Sequence, residues 1–306
     1  MMSTQSNAIP QSALASGAGS YNEISVVRRF YWLVKREVWE SRSIYIAPLA
    51  VAAVILLGYF VSAISLPARM REASGMTPMA QGDMFAQTFG TAAMALMATT
   101  LVVAAFYCLD ALHGERRDRS ILFWKSLPVS DSMTVLSKAT IPLFLLPLLT
   151  FLITVALQIC MLLLSAAILL AGGQSLAMLS HLNLGITWIA LLNHLVVGHG
   201  LYYAPFYGWF LLVSAWARRG TFLWAVLPPL AIGVLEKILF NTSHFGDLIG
   251  DRFGIGGSAT SGKATGMLAM IADSPTLSSP GLWIGLILTA LFLFAAMQLR
   301  RRQGPV

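Results

Sequence analysis

Charge is scarce in this chain. Only 11% of its 306 residues are Asp, Glu, Lys or Arg, roughly half the share found in an ordinary soluble domain. A water-soluble enzyme domain and a disordered chain both need more charge than this, so both are excluded. Cysteine is nearly absent. Cys108 and Cys160 both lie in apolar runs, so no disulfide framework is indicated. The first twenty residues hold no charged side chain and lack the basic start and apolar core of a signal peptide. Residues 1–22 read as a flexible cytoplasmic tail and residues 303–306 as another. No repeat with a period of about 20–50 residues is present, which argues against a solenoid. His-Glu-x-x-His, Gly-x-Ser-x-Gly and Gly-x-x-x-x-Gly-Lys-Ser/Thr are all missing. Without them the chain has no catalytic residues to nominate, no metal site and no nucleotide site of its own.

What the chain has instead is apolar length. Hydrophobic residues make up 57% of it, and the mean hydropathy is +0.73. A bilayer core about 30 Å thick needs roughly 20 apolar residues in a helix. Six stretches satisfy this: residues 44–66, 86–109, 139–171, 186–217, 221–240 and 281–299. The expectation is an all-α polytopic membrane protein with six transmembrane helices, forming one domain over residues 23–302. The third and fourth stretches exceed the bilayer, so they must tilt, kink or project. Pro142, Pro147 and Pro205 are the candidate kink points. In the second, Thr91, Ala95 and Thr99 recur every fourth residue, a small-residue spacing that suits close helix packing.

The net charge of +7 is unevenly placed. Fifteen Lys and Arg fall before the first stretch, between the second and third, between the fourth and fifth, and after the sixth; four fall on the opposite side. Positive residues stay inside, so both termini are expected in the cytoplasm. The same distribution explains the basic balance without nucleic acid. Residues 241–280 form the largest outer loop. Its short apolar run, 267–272, reads as a small helix resting on the outer surface or dipping into it, or as plain flexible loop.

Residues 23–43 read as an amphipathic elbow helix on the cytoplasmic surface. Val27, Phe30, Tyr31, Val34 and Val38 share one face at about 100° per residue. Arg28, Arg29, Lys35 and Arg36 lie opposite, with Trp32 and Trp39 at the flank. Such a helix anchors to anionic lipid, borders a partner protein, or does both.

The loop between the second and third stretches is the most informative. Glu115, Arg116, Arg117, Asp118, Arg119 and Ser120 are dense in charge of both signs, and Ile121, Leu122, Phe123 and Trp124 follow at once. Pro128 would stop a helix and Asp131 would cap the next. Charge followed by exposed aromatics suits a short helix seated in a groove of another protein. Burial of Phe123 and Trp124 in lipid headgroups is the competing reading.

These residues carry a resemblance. Phe106 to Leu112, then Glu115 to Ser120, then Phe123 to Asp131 are similar to the permease subunits of ABC-2 type transporters. The basic elbow segment and the six-span layout extend the likeness across most of the chain. The resemblance implies a cytoplasmic coupling helix in this loop, inserted into a separate ABC ATPase that holds ATP and Mg. It also implies a homo- or heterodimer of permeases in a prokaryotic inner membrane, and export rather than uptake. Glu115, Arg116, Arg117, Asp118, Arg119, Ser120, Phe123 and Trp124 would then be the coupling residues. A scaffold without transport and a stand-alone ion-coupled carrier are the alternatives.

Polar residues inside the spans are costly and need a reason. Asn193, His194, His199, Tyr203 and Glu236 are the candidate lining of a substrate path. His194 and His199 would sit about 140° apart on an unbroken α-helix and could not easily share a metal there, although Gly198, Gly200 and Pro205 are residues able to break it. Glu236 beside Lys237 reads either as an exit-path contact or as an interfacial pair that fixes depth. The lack of a large outer domain favours a membrane-soluble cargo.

Overall fold

The computed structural model describes residues 25–126, 129–176, 179, 182–252 and 277–302. The tails 1–22 and 303–306, Pro128 and the run 267–272 lie outside these. Among the described residues every regular element is helical. In chain order the helices are α1 Val26–Glu40, α2 Ser43–Ala63, α3 Leu66–Glu72, α4 Pro78–Ala111, α5 His113–Arg117, α6 Ser120–Ser126 and α7 Asp131–Thr140. They continue with α8 Leu146–Ala171, α9 Leu184–Asn193, α10 Ala204–Trp216, α11 Thr221–Phe240, α12 His244–Arg252 and α13 Pro280–Arg302. Six helical stretches are long and apolar enough to cross a membrane: Ser43–Ala63, Ala80–Arg117, Asp131–Ala171, Leu184–Tyr202, Thr221–Phe240 and Pro280–Arg302. Large apolar side chains on their outer surfaces, among them Val54, Leu57, Ile189 and Ile284, stand exposed. Water would not tolerate such a surface, and a bilayer covers it. The architecture is that of a multi-pass membrane protein.

Helix α1 begins at Ser25, whose hydroxyl accepts from the Arg28 amide at 3.3 Å. Its inward face differs from the expected stripe. Leu33 and Glu37 are buried, with Phe30, Val34 and Val38 half-buried beside them, while Val27 and Tyr31 stand exposed. The cause is that α1 packs against α7. Its buried side therefore matches a protein surface rather than a flat lipid layer.

The third crossing joins α7 and α8 through a π-helical segment, Ile141–Leu145. Ser130, not Asp131, caps α7, accepting from the Met133 amide at 3.2 Å. The wide turn has a local cause. Pro147 has no N–H for the carbonyl of Leu143, and on a regular α-helix its ring would strike that carbonyl. The fourth crossing widens likewise over His194–Tyr202, then bends at Tyr203 ahead of Pro205 into α10. The two widened segments meet. A Cβ added to Gly200 would lie 2.5 Å from the Leu143 carbonyl oxygen, so only glycine permits this approach.

One core unites the ends of the bundle that carry α1 and the α13 C-terminus, through Ile44, Tyr107, Leu112, Ile141, Leu211 and Leu293. A second joins α2, α4 and α8 through Phe89, Leu96, Ile153 and Met161. Helices α10 and α13 pack closely because Gly208 lets Thr289 and Phe292 approach. Among the described residues the expected small-residue face of α4 is largely open, with only Thr99 half-buried. Thr91 and Ala95 are exposed, while Ala92, Ala93, Leu96 and Met97 fill the interior.

Candidate functional site

Six ionisable side chains from four helices converge at the end of the bundle that holds α1 and the last turn of α13. Helix α1 contributes Arg36 and Glu37, α5 contributes Glu115, α7 contributes Asp131 and Lys138, and α13 contributes Arg300. Lys138 Nζ donates to both oxygens of Glu37, at 3.0 and 2.9 Å, and lies 3.1 Å from Glu115 Oε1. The Arg300 guanidinium donates to Glu115 Oε2 with one nitrogen and to Asp131 Oδ1, at 3.0 Å, with another. Arg36 Nη2 bridges Glu37 at 3.0 Å and Glu115 at 3.2 Å. The Tyr107 hydroxyl donates to Glu37 Oε2 at 3.1 Å.

Three acids thus face three bases, and the charge balances. Glu37 and Lys138 are 3% exposed, and Glu115 and Arg300 5%. Taking charges this far from water is costly, and removing one partner leaves another uncompensated, at about 3–5 kcal/mol. The arrangement therefore fixes α1, α5, α7 and α13 relative to one another.

The charged loop grows out of this cluster. Ser214 Oγ on α10 accepts the amides of Leu112 and His113, at 3.0 and 2.9 Å, which caps the start of α5. Arg116, itself buried, donates to the carbonyls of Ala215 and Ala217 at the end of α10, where a cation suits the helix dipole. Glu115 and Arg116 consequently point into the protein. Arg117 and Asp118 point out and pair at 3.1 Å. Arg119 adopts a left-handed conformation, φ 57°, and turns the chain from α5 into α6. The Ser120 hydroxyl donates back to the Glu115 carbonyl at 3.3 Å.

On α6, Leu122 is 57% exposed and Phe123 59%. Trp124 is half-buried. The Arg36 guanidinium stacks over its ring at 3.6 Å, and Phe123 meets it edge-on at 5.0 Å. Of the elbow residues named above, Arg36 therefore belongs to the ion cluster. Arg28, Trp32 and Trp39 lie on the exposed side of α1, as does the half-buried Arg29 close by. Lys35 sits between the Trp32 and Trp39 rings, at 4.9 and 4.8 Å.

Among the candidate path residues, the structure joins three. A π-helix closes its hydrogen bonds five residues apart, so residues five apart stack. His194 and His199 therefore meet, with ring centroids 5.6 Å apart, and His199 meets Tyr203 at 5.4 Å. The expected separation of 140° assumed an unbroken α-helix, and the π segment removes it. Both histidines are buried. Asn193 stands exposed on the neighbouring turn. Glu236 is engaged elsewhere, accepting from Thr242 Oγ1 and from the amides of His244 and Phe245, at 2.9, 2.8 and 2.9 Å. It caps the first turn of α12. Among the described residues no group of three potential metal ligands occurs.

Compared with protein-family models, curated proteins and solved structures, the chain matches none. The site is therefore read from its own geometry. Glu37, Lys138, Arg300 and Tyr107 are the members of the cluster that sequence reasoning did not name as site residues, and it read Asp131 only as a helix cap. One signal was there to find: Glu37 shares a helix face with Phe30, Val34 and Val38, and an acid in an apolar stripe needs a buried partner.

Proposed function

We propose that the chain is the permease subunit of an ATP-driven ABC-2 type exporter, coupled to a separate cytoplasmic ATPase. The observation that carries the reading is the placement of Leu122 and Phe123. They form an outward apolar tip on α6, directly beyond the ion cluster. A loop that only reversed the chain would gain nothing from exposing them, whereas a helix docking into a groove on an ATPase would bury both. The residue pattern from Phe106 to Asp131 supports the same family.

In this reading ATP and Mg act in the partner. Its movement pushes α6, and Arg36 on Trp124 passes the displacement to α1. Glu115 passes it to Lys138 on the third crossing and to Arg300 on the last. Clusters of this kind repack between discrete arrangements rather than deform smoothly, which suits a two-state transporter. Two permeases would form the path in a prokaryotic inner membrane, with both termini in the cytoplasm, as the Lys and Arg distribution supports.

The test is affinity purification of the chain from its native host in mild detergent, with mass spectrometry of what co-purifies. A nucleotide-binding ATPase is expected in stoichiometric yield. It should be lost from the Leu122→Asp, Phe123→Asp double variant while the amount of purified chain holds. Purification of the wild-type chain alone would overturn the proposal.

A further inference from the structure

A crevice of about 90 Å³ opens where α2 ends, α3 begins and α4 starts, at the far end of the first crossing from α1. Its walls are apolar: Ala63, Leu66, Met70 and Phe85 are all buried. Its open side presents Ser62, Arg69 and Thr88. The frame around it is held in place. Pro67 packs against the end of the third crossing, within 3.1 Å of where a Gly172 Cβ would stand. Behind the crevice the Tyr59 and Ser165 hydroxyls share a hydrogen bond between the first and third crossings.

Among the described residues no carboxylate lies within ion-pair distance of Arg69. An exposed guanidinium beside an apolar crevice at a helix end, next to a lipid-covered surface, calls for one kind of ligand. It needs a phosphate for the cation and hydrocarbon for the walls. A soluble anion leaves the apolar walls bare, and a neutral lipid leaves the arginine without its partner. The volume is below the roughly 150 Å³ that holds one benzene ring, so only the part of a lipid next to its headgroup fits. The remaining chain has a place on the exposed apolar surface of the same helix end, where Val61 and Ile64 face outward.

We infer that this crevice is a binding site for a phospholipid of the leaflet opposite the chain termini, with the lipid phosphate on Arg69. The inference does not depend on the transport reading.

Photo-crosslinking tests it. Benzoylphenylalanine replaces Thr88 in the full chain, reconstituted in nanodiscs containing phosphatidylglycerol and diacylglycerol with identical acyl chains. Mass spectrometry reads the adducts, with benzoylphenylalanine at lipid-facing Ile287 as the reference. At position 88, phosphatidylglycerol adducts should exceed diacylglycerol adducts by about fivefold over the reference, the factor expected of one cation near a phosphate. Arg69→Gln should abolish that excess and Arg69→Lys should retain it. Ser62→Trp, which blocks the open side, should bring total labelling down to the reference level. Arg69 is exposed, so these variants should unfold at the wild-type temperature, and that is measured alongside. Equal labelling by the two lipids, or an excess that survives Arg69→Gln, overturns the inference.

Discussion

Lys138 touches two of the three carboxylates of the cluster, Glu37 and Glu115, and no other residue there holds Glu37 with two hydrogen bonds. Lys138→Met keeps most of the side-chain volume and removes the charge. The expected cost is about 3–5 kcal/mol, because Glu37 and Glu115 stay buried with less compensation. Thermal unfolding in detergent would read this as a clear fall in midpoint. Adding Glu37→Gln should recover part of the loss, with a coupling energy of about 0.5–3 kcal/mol. Arg117→Ala removes exposed pairs with Asp110 and Asp118 and should change the midpoint little. The sequence shows why this cluster was hard to see. Lys138 and Arg300 count correctly as positive residues on one side of the membrane, but that count carries no information about partners. Glu37 and Lys138 stand 101 residues apart, and only the tertiary fold brings them together.

The helices themselves were largely legible, because an apolar run of bilayer length admits one solution. The first, fifth and sixth crossings lie within three residues of the expected bounds at each end. The π segments were not legible. Hydrophobic spacing in fully apolar helices has no face to register one extra residue. Pro142 and Pro147 marked the place of the first widening, and the glycines around His199 the second, but neither specified its form. The meeting of Gly200 with Leu143 makes the point testable. Gly200→Ala should cost about 1–3 kcal/mol, since the Cβ meets backbone that cannot swing aside. Gly58→Ala, where nothing lies within 4 Å, should leave the unfolding midpoint unchanged or raise it.

Across the whole molecule, tight packing is concentrated unevenly. The ends that carry α1, α5, α7 and α13 are locked by buried charge, whereas α11 buries only Ala225 and exposes most of its apolar length. Such a chain is rigid where the proposed ATPase would push and open along its flanks, where lipid or a second permease would lie. The position of the candidate docking helix was legible in sequence, since charge followed by Leu122 and Phe123 is unusual in a short loop. Its inner supports were not: Glu115 and Arg116 read as surface charge and are buried instead.

An ATPase seated on α6 in the intact membrane is the central expectation. Asp118→Cys in a Cys160→Ser background places one accessible thiol at the turn that leads into α6, since the remaining Cys108 is buried. A thiol-directed cross-linker applied to native membranes, with mass spectrometry of the adducts, should join this position to a nucleotide-binding ATPase. A thiol at exposed Asp83, near the far end of α4 from α6, should give no such product. Failure of position 118 to reach an ATPase, with the chain present at wild-type level, would contradict the account.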